Sequence, residues 1–565
     1  MYSFRTGRRK WWFGAITLAL VTSLFTWGLR PMLEGLVRSR IESAALRQGV
    51  VARIDALHVG IWPLLRLEGV DLDLGHGTRL HADTVAATWP AQLRLAVRGA
   101  TVAGPGGVTV ASAATAWKLT GAFSDEFRLT LREPQAGLQL RRRADAAVSV
   151  WNVEARELDV GRLLVVQRDG HALLDGGIAD GQVEIRSSPG TVGFRVDFGV
   201  RGARLGTLAG TATDDPQPGN PTDVTLQFEG AWQRDRGAVE IPELKATVAG
   251  AVLSGSLALT QLDTDPAIDL ELGVQQLDFA HVLGASGLEV PDSLGLAPGS
   301  PPDLGSATID LRVRGALAVP ASLSVSQKID FKPPREPPPG ILRLRGAFAF
   351  GATDSAGRSR AIDVSPASTD FIALRDVPPL FLRTLLLAED ASFYGHRGID
   401  LRELPAALLT NWSRGSAARG ASTISQQLAK NLFLSRDKQL GRKLQELPIT
   451  FLLESALGKQ RILEIYLNII EWGPDLRGLL PAARHYFGRE PRTLTPAEMA
   501  FLVAIIPGPI KYQASFASGT PGPGLRSLID DLLAKLRSVD AISEEEYRRA
   551  LDEPLVIAGD SPTER

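Results

Sequence analysis

The chain contains no cysteine. That absence removes disulfide frameworks, thiolate nucleophiles and cysteine-ligated zinc in one step. Charge of one sign is missing too: 62 Lys and Arg face 63 Asp and Glu, a net charge of -1, so no strongly basic domain points to nucleic acid. Histidine is scarce, and His58, His76, His81, His171 and His281 lack the i, i+4 spacing of a helical metal pair. The glycine run Gly104-Pro105-Gly106-Gly107 lacks the G-x-x-x-x-G-K-[ST] pattern of a phosphate loop and reads as a turn. Hydrophobic residues at 44% and charged residues at 22% exclude a disordered acidic tail and a polytopic carrier. At 565 residues, and about 100 to 200 residues per domain, the chain holds two to four domains.

One long apolar run is present, Trp11 to Leu29, WWFGAITLALVTSLFTWGL. It approaches the ~20 residues that cross a bilayer as a helix. Arg5, Arg8, Arg9 and Lys10 precede it and tryptophans sit at both edges, which predicts a cytoplasmic N-terminus (1–10), a single span (11–29) and export of the rest. The run is longer than the ~7 to 15 residues of a signal-peptide core and continues into Arg30 and Pro31, which favours an uncleaved anchor.

From about Val51 to Phe350 apolar residues alternate with polar ones, broken by Gly, Pro, Asp and Asn clusters. Leu65 and Leu67, then Gly69, then Val70, Leu72 and Leu74 show a phase shift of the kind a bulge makes. Further strands are expected at 148–153, 183–185, 191–200, 224–228, 253–259, 268–272, 307–313 and 341–350. The Pro333 to Gly340 run, PPREPPPG, reads as an extended loop. The opening, a helix at 33–48 followed by alternating Ile54, Leu57 and Val59, weakly resembles AsmA-like periplasmic proteins, which supports a β scaffold at 31–350. A linker is expected at 351–368, a helical domain at 369–550 and a tail at 551–565. The fold class is thus α+β multidomain.

The helical part carries four polar motifs in about 80 residues. The first, E-D-x-x-F-x-x-H-x-G, is Glu389, Asp390, Phe393, His396 and Gly398. The second, G-x-S-T-I-x-Q-Q-x-x-K-N, runs from Gly420 to Asn431; the third, R-K-x-x-E, is Arg442, Lys443 and Glu446; the fourth, I-L-E-x-Y-L-N, spans Ile462 to Asn468. Thr423 followed by Gln426 is a capping box, so a helix starts there and its i, i+4 pairs Gln426–Lys430 and Gln427–Asn431 present polar groups. In isolation R-K-x-x-E is a surface ion cluster worth about 0 to 1 kcal/mol. A carboxylate after an apolar run, such as Glu389 after LLLA, sits where burial tunes its pKa.

The four motifs, in order and spacing, resemble the glycosyltransferase 51 family, the peptidoglycan glycosyltransferase domain of penicillin-binding proteins. Glu471-Trp472-Gly473-Pro474 and AARHYFG (482–488) look most like its monofunctional branch. The resemblance implies a lysozyme-like helical domain on the periplasmic face of the bacterial inner membrane. Its activity would be polymerisation of lipid II into β-1,4 glycan with inversion and release of undecaprenyl diphosphate. It implies Glu389 and Glu446 as catalytic, and Asp390, Phe393, Ser422, Thr423, Gln426, Gln427, Lys430, Asn431, Arg442 and Lys443 as substrate-binding. His396 and Gly398 are implied as structural. A divalent cation, Mg2+ or Mn2+, at the diphosphate is suggested by the resemblance, although no metal motif is visible. Expected partners are lipid II, the nascent glycan strand, the membrane and, through the β region, cell-wall or envelope proteins. Ser435 to Lys438 fits S-x-x-K, but S-D-N and K-T-G are missing and a transpeptidase is not expected. A glycan-cleaving enzyme and a non-catalytic scaffold are the alternatives; the first has no diphosphate to bind. Two departures stand out. Pro448 inside the third-motif helix predicts a kink, and Gly478-Leu479-Leu480-Pro481 replaces a commoner G-x-E-A, which puts substrate contacts from that loop in doubt.

Overall fold

The computed structural model describes residues 30–557, except 48–50, 60–64, 76–77, 89–92, 99, 104–107, 113–114, 121–125, 132–136, 145–147, 161–163, 169–170, 206–218, 298–301, 320–321, 354–357, 404–421, 435–439 and 517. The expected span 11–29 lies outside them. Among the described residues no helix is long and apolar enough to cross a membrane.

The chain divides into two compact units, residues 1–264 with 285–287, and residues 265–284 with 288–565. The first opens with helix α1 (Arg30–Arg47) and continues as strands β1 (Val51–Val59) to β17 (Ala251–Thr260). The pairings are antiparallel, as alternating sequences with short turns dictate. Val183 pairs with Val196 and Val196 with Phe228, so one apolar face is carried across consecutive strands. The phase shift expected at Gly69 is a residue at φ +57°, where a Cβ would collide with the Asp55 side chain. A small core of Ala155, Leu158, Val160, Ala179, Val200 and Ala203 closes one part of this unit.

The second unit begins earlier than the sequence division placed it. Strands β18 (Ala267–Asp278), β19 (Ser306–Ala316) and β20 (Ser324–Lys332) form an antiparallel ladder, with helix α2 (Phe279–Ala285) after β18 and α3 (Pro339–Leu342) after β20. The expected linker 351–368 holds a hairpin, β21 (Phe348–Thr353) paired with β22 (Ser359–Val364). The physical reason is apolar: the ladder's Phe331 stacks on Phe451 at 5.2 Å, and Phe279 lies 5.7 Å from the same ring, so the strands bury their aromatic face on the helical part. The strand expected over 341–350 is corrected in the same region. Pro339 sits at the first helical position, and 339–345 turns as helix and 3-10 helix before β21 begins.

Eight helices of eight or more residues follow among the described residues: α4 (Pro379–Glu389), α5 (Ile424–Phe433), α6 (Leu440–Ala456), α7 (Lys459–Ile469), α8 (Leu479–Phe487), α9 (Pro496–Ile505), α11 (Pro523–Ser538) and α12 (Glu544–Asp552). A single turn, α10 (Pro509–Tyr512), and a short hairpin, β23 (Glu471–Gly473) with β24 (Leu476–Arg477), join them. Helix α9 has no polar face: Ala497 through Ile505 are all buried. Trp472 and Tyr486, from the two segments that resemble the monofunctional branch, lie in this core; the Trp472 indole donates to Leu502 O at 2.8 Å and the Tyr486 hydroxyl to Trp472 O at 2.7 Å. Leu479 and Leu480 of the departing Gly478 segment are buried as well, so their side chains serve packing.

Candidate active site

The first motif begins where α4 stops. Asp390 leaves helical geometry at φ -163°, and its carboxylate ties three pieces together. It accepts from His396 Nε2 at 3.0 and 3.1 Å and from Ile424 N, at the start of α5, at 3.0 Å. A carboxylate on a helix N-terminus satisfies an orphan N–H and meets the positive end of the helix dipole. His396 Nδ1 accepts from Gly398 N at 3.0 Å, so the ring proton sits on Nε2 and faces Asp390. His396 therefore joins Asp390 to Gly398 within the loop. Gly398 holds φ +98°, and a Cβ there would stand 2.8 Å from Thr450 Cγ2 on α6. Two expectations change here. Asp390 and Phe393 are buried, 8% and 0% exposed, with Asp390 committed to His396 and Ile424 and Phe393 lying under the Lys459 ammonium at 4.3 Å. Both hold the loop and neither faces open space.

The second motif opens α5. The capping box forms as read from sequence: Gln426 N donates to Thr423 Oγ1 at 3.2 Å, and Thr423 N to Gln426 Oε1 at 3.0 Å. Thr423 Oγ1 also donates to Gly398 O, which fastens α5 to the first motif. These bonds commit the Thr423 hydroxyl and the Gln426 side-chain oxygen, both on buried residues, to the cap. One turn later, Gln427 Nε2 donates to Glu389 Oε2 at 2.7 Å, and the Tyr466 hydroxyl of α7 donates to Gln427 Oε1 at 2.9 Å. The amide is thereby fixed with its N–H toward the carboxylate. Tyr466 stood in the fourth motif with no role attached; its placement in an apolar helix beside Asn468 was the only signal. Asn468 itself ties Ile372 N and O to α7 at 2.9 Å each.

The third motif lies on α6, which runs unbroken through Pro448. The proline removes the donor to Leu444 O without ending the helix, while Thr450 Oγ1 adds a bond to Glu446 O at 2.7 Å one turn on. Lys443 Nζ donates to Glu446 Oε1 at 2.5 Å and to Ser422 Oγ at 2.8 Å, which joins the second and third motifs. With Glu446 1% exposed, this is no surface ion cluster. Burial raises the Glu446 pKa against the lowering pull of Lys443, Lys430 and Arg442. Burial likewise raises Glu389, opposed by the Gln427 bond and the Lys430 charge. Lys430 is pushed down by burial and by Arg442 and Lys443, and drawn up by both Glu446 and Glu389. One cation thus links the two carboxylates electrostatically. Asn431, half-buried, follows it on α5.

A half-buried carboxylate held by one amide donor, under the charge of Lys430, which in turn feels Arg442, Lys443 and a second carboxylate, suits proton removal beside a leaving anion. The sequence matches the Transglycosylase family over residues 358–520. A biosynthetic peptidoglycan transglycosylase from Nitrobacter winogradskyi is 40% identical over 182 residues, 32% of this chain and 78% of the relative. The chain belongs to the transglycosylase family. A second biosynthetic peptidoglycan transglycosylase, from Nitrosomonas eutropha, is 51% identical over 131 residues, covering 23% of this chain and 54% of its own length. Among solved structures, penicillin-binding protein 1A from Haemophilus influenzae aligns over 38% of this chain and 22% of its own at 21% identity, with a TM-score of 0.20. The matched region contains all four motifs, and the transglycosylase chemistry belongs to the second unit.

Proposed function

We propose that this transglycosylase polymerises lipid II, joining the C4 hydroxyl of an acceptor N-acetylglucosamine to C1 of a donor N-acetylmuramic acid and releasing undecaprenyl diphosphate. An α-linked donor and a β-1,4 product make one inverting displacement, which needs a general base but no covalent intermediate. Glu389 takes the acceptor proton, and the Gln427 bond keeps one oxygen fixed while the other meets the hydroxyl. Lys430, Arg442 and Lys443 balance the charge that grows on the diphosphate. Glu446 orients Lys443. The observation that carries this reading is the half-buried Glu389 carboxylate held by the Gln427 amide at 2.7 Å, with the Lys430 charge acting on it.

Among the described residues no three His, Asp or Glu side chains converge to hold an ion, and the third motif is crowded with cations. A divalent cation would therefore have to be held largely by the substrate diphosphate, with at most one or two carboxylates from the protein. Ser422 and Asn431 are the remaining polar groups beside the cluster and complete the proposed substrate contacts. The uncharged run 11–29 would hold the enzyme beside its lipid substrate in the inner membrane, with the catalytic unit outside. The test is purified protein with labelled lipid II in detergent or liposomes: polymer that a muramidase digests supports the reading, and absence of polymer from folded protein refutes it.

A further inference from the structure

Strand β20 alternates strictly along its length, with Val325, Gln327, Ile329 and Phe331 on its half-buried face and Ser324, Ser326, Lys328, Asp330 and Lys332 exposed. Gln327 is the polar member of an otherwise apolar face. Its side chain is not spent on its own sheet. Oε1 accepts from Leu401 N at 2.6 Å and Nε2 donates to Ile399 O at 3.3 Å, so one amide pairs with the two peptide groups that flank Asp400, as a neighbouring strand would. The donor and acceptor ends are both matched, which fixes the amide's orientation.

The segment so gripped is the exit of the first-motif loop. Asp400, between the two bonds, accepts from Ser392 Oγ and, through both oxygens, from Arg402. Burial alone would raise its pKa, but these bonds outweigh burial and hold it at about 2, so the carboxylate stays charged and the loop stays tied. Gly398 O, one residue before Ile399, receives the Thr423 hydroxyl that caps α5. From that cap, α5 carries Gln427 to Glu389. The path from β20 to the base is therefore a run of direct bonds: Gln327 to Ile399 and Leu401, Gly398 to Thr423, and one helical turn to Gln427.

We infer that Gln327, outside the four motifs, is a positioning residue for the transferase reaction, holding the first-motif loop so that α5 presents Gln427 to Glu389. This rests on Glu389 being the base of the proposed reaction. Two neighbouring contacts agree with the assignment. Phe331, four residues further on the same face, stacks on Phe451 of α6, and Gln445 of α6 donates to Glu289 O at 2.7 Å, so the ladder region also fixes the helix that carries the third motif.

The experiment uses the full-length protein and lipid II, with Gln327→Ala, Gln327→Glu and, as a control on the opposite face of the strand, Ser326→Ala. A misplaced base costs rate and not affinity, so Gln327→Ala is expected to lower kcat about tenfold or more with KM within about threefold of wild type. Its acid limb should move to higher pH, because a loosened Gln427 bond no longer opposes the effect of burial on Glu389. Ser326→Ala should match wild type. Gln327→Glu keeps the acceptor for Leu401 N and loses the donor to Ile399 O, and is expected to show the same acid-limb shift with a smaller loss of kcat. Should Gln327→Ala not fold, the Glu variant decides. Wild-type kcat and pH profile in a folded Gln327 variant, or a kcat that falls only with the folded fraction at an unshifted profile, overturns the inference. Retained activity in Glu389→Gln would instead refute the proposed function, and the two failures are read from separate variants.

Discussion

Glu389 faces two opposed demands, since it must be ionised to accept a proton and it sits where burial penalises ionisation. Burial is the larger influence, so its pKa lies above the ordinary glutamate value of 4.5 despite the Gln427 bond and the Lys430 charge. The sign for activity follows: the ionised base is present above the raised pKa and lost as pH falls through it, so the acid limb of kcat/KM should centre above 4.5. A limb at or below 4.5 removes Glu389 from the role. Stability runs the other way, because a carboxyl with a raised folded pKa binds its proton more tightly in the native state, and its contribution is lost as pH rises through that window. Glu389→Gln is therefore expected to be at least as stable as wild type at pH 7 while losing about 10² to 10⁴ in polymerisation rate, checked by thermal melting beside lipid II turnover. Lys443→Ala and Glu446→Gln test the leaving-group side. Each should cost at least about 10² in kcat, the scale of one preorganised donor, and near-normal turnover in both would sink the account of diphosphate stabilisation. At this scale the sequence was informative wherever a motif supplied a charge. It was silent on direction: Asp390 and Gln426 carry the same polar labels as Glu389 and Gln427, yet they point into the protein because a helix N-terminus and a cap claim them first.

Helix α5 shows what an element adds to its residues. Its N-terminus is fastened by the Thr423 cap, by Asp390 on Ile424 N and by Thr423 on Gly398 O, three bonds that together fix where Gln427 and Lys430 project. The capping box was legible from T-x-x-Q alone, because the pairing is local. The partners Gly398 and Asp390 were not, since they lie 25 and 34 residues away and no periodicity encodes them. Replacing a threonine cap with alanine costs about 0.5 to 2 kcal/mol. Thr423→Ala should therefore lower stability by about that amount in denaturant melts and reduce kcat as well, while Thr423→Ser restores both. Full activity in Thr423→Ala at the stability loss of a simple cap would show that the tie to Gly398 is idle. The continuity of α6 through Pro448 is the complementary lesson. An isolated helix would break there, but Pro448 and Ile449 are buried, and the apolar face Ile449, Phe451, Leu452 and Leu453 outweighs one lost hydrogen bond.

For the whole molecule, the alternation of apolar residues located some strands of the first unit, such as Thr191–Leu205 and Ala251–Thr260, because period two is a property of any half-buried strand, and passed over others, such as Thr78–Thr88 and Ala238–Val248. It did not reveal which strands serve the catalytic unit. Strands β18 to β20 alternate like those before them, and their aromatic partners on α6 and the Gln327 bonds to 399 and 401 tie them to the helical part. A composition change near residue 351 therefore marked the start of the helices and not the start of the unit. The consequence is measurable in truncations. A piece beginning at 360 loses Phe279 and Phe331 from the Phe451 stack, the buried side chains of Leu294, Leu304, Ile341 and Leu344, and the Leu344 O and Gly346 O acceptors of Arg461. Each fully buried large apolar side chain is worth about 1.5 to 3 kcal/mol, so the five buried ones, Phe279, Leu294, Leu304, Ile341 and Leu344, rival the roughly 5 to 15 kcal/mol that holds an ordinary domain together. Residues 265–565 should accordingly give a cooperative melt and retain polymerisation, whereas 360–565 should melt at least about 10 °C lower or aggregate, and make little glycan. Equal melting and equal lipid II turnover in the two pieces would mean that the ladder only leans on the enzyme, and that the helices alone set the geometry of Glu389.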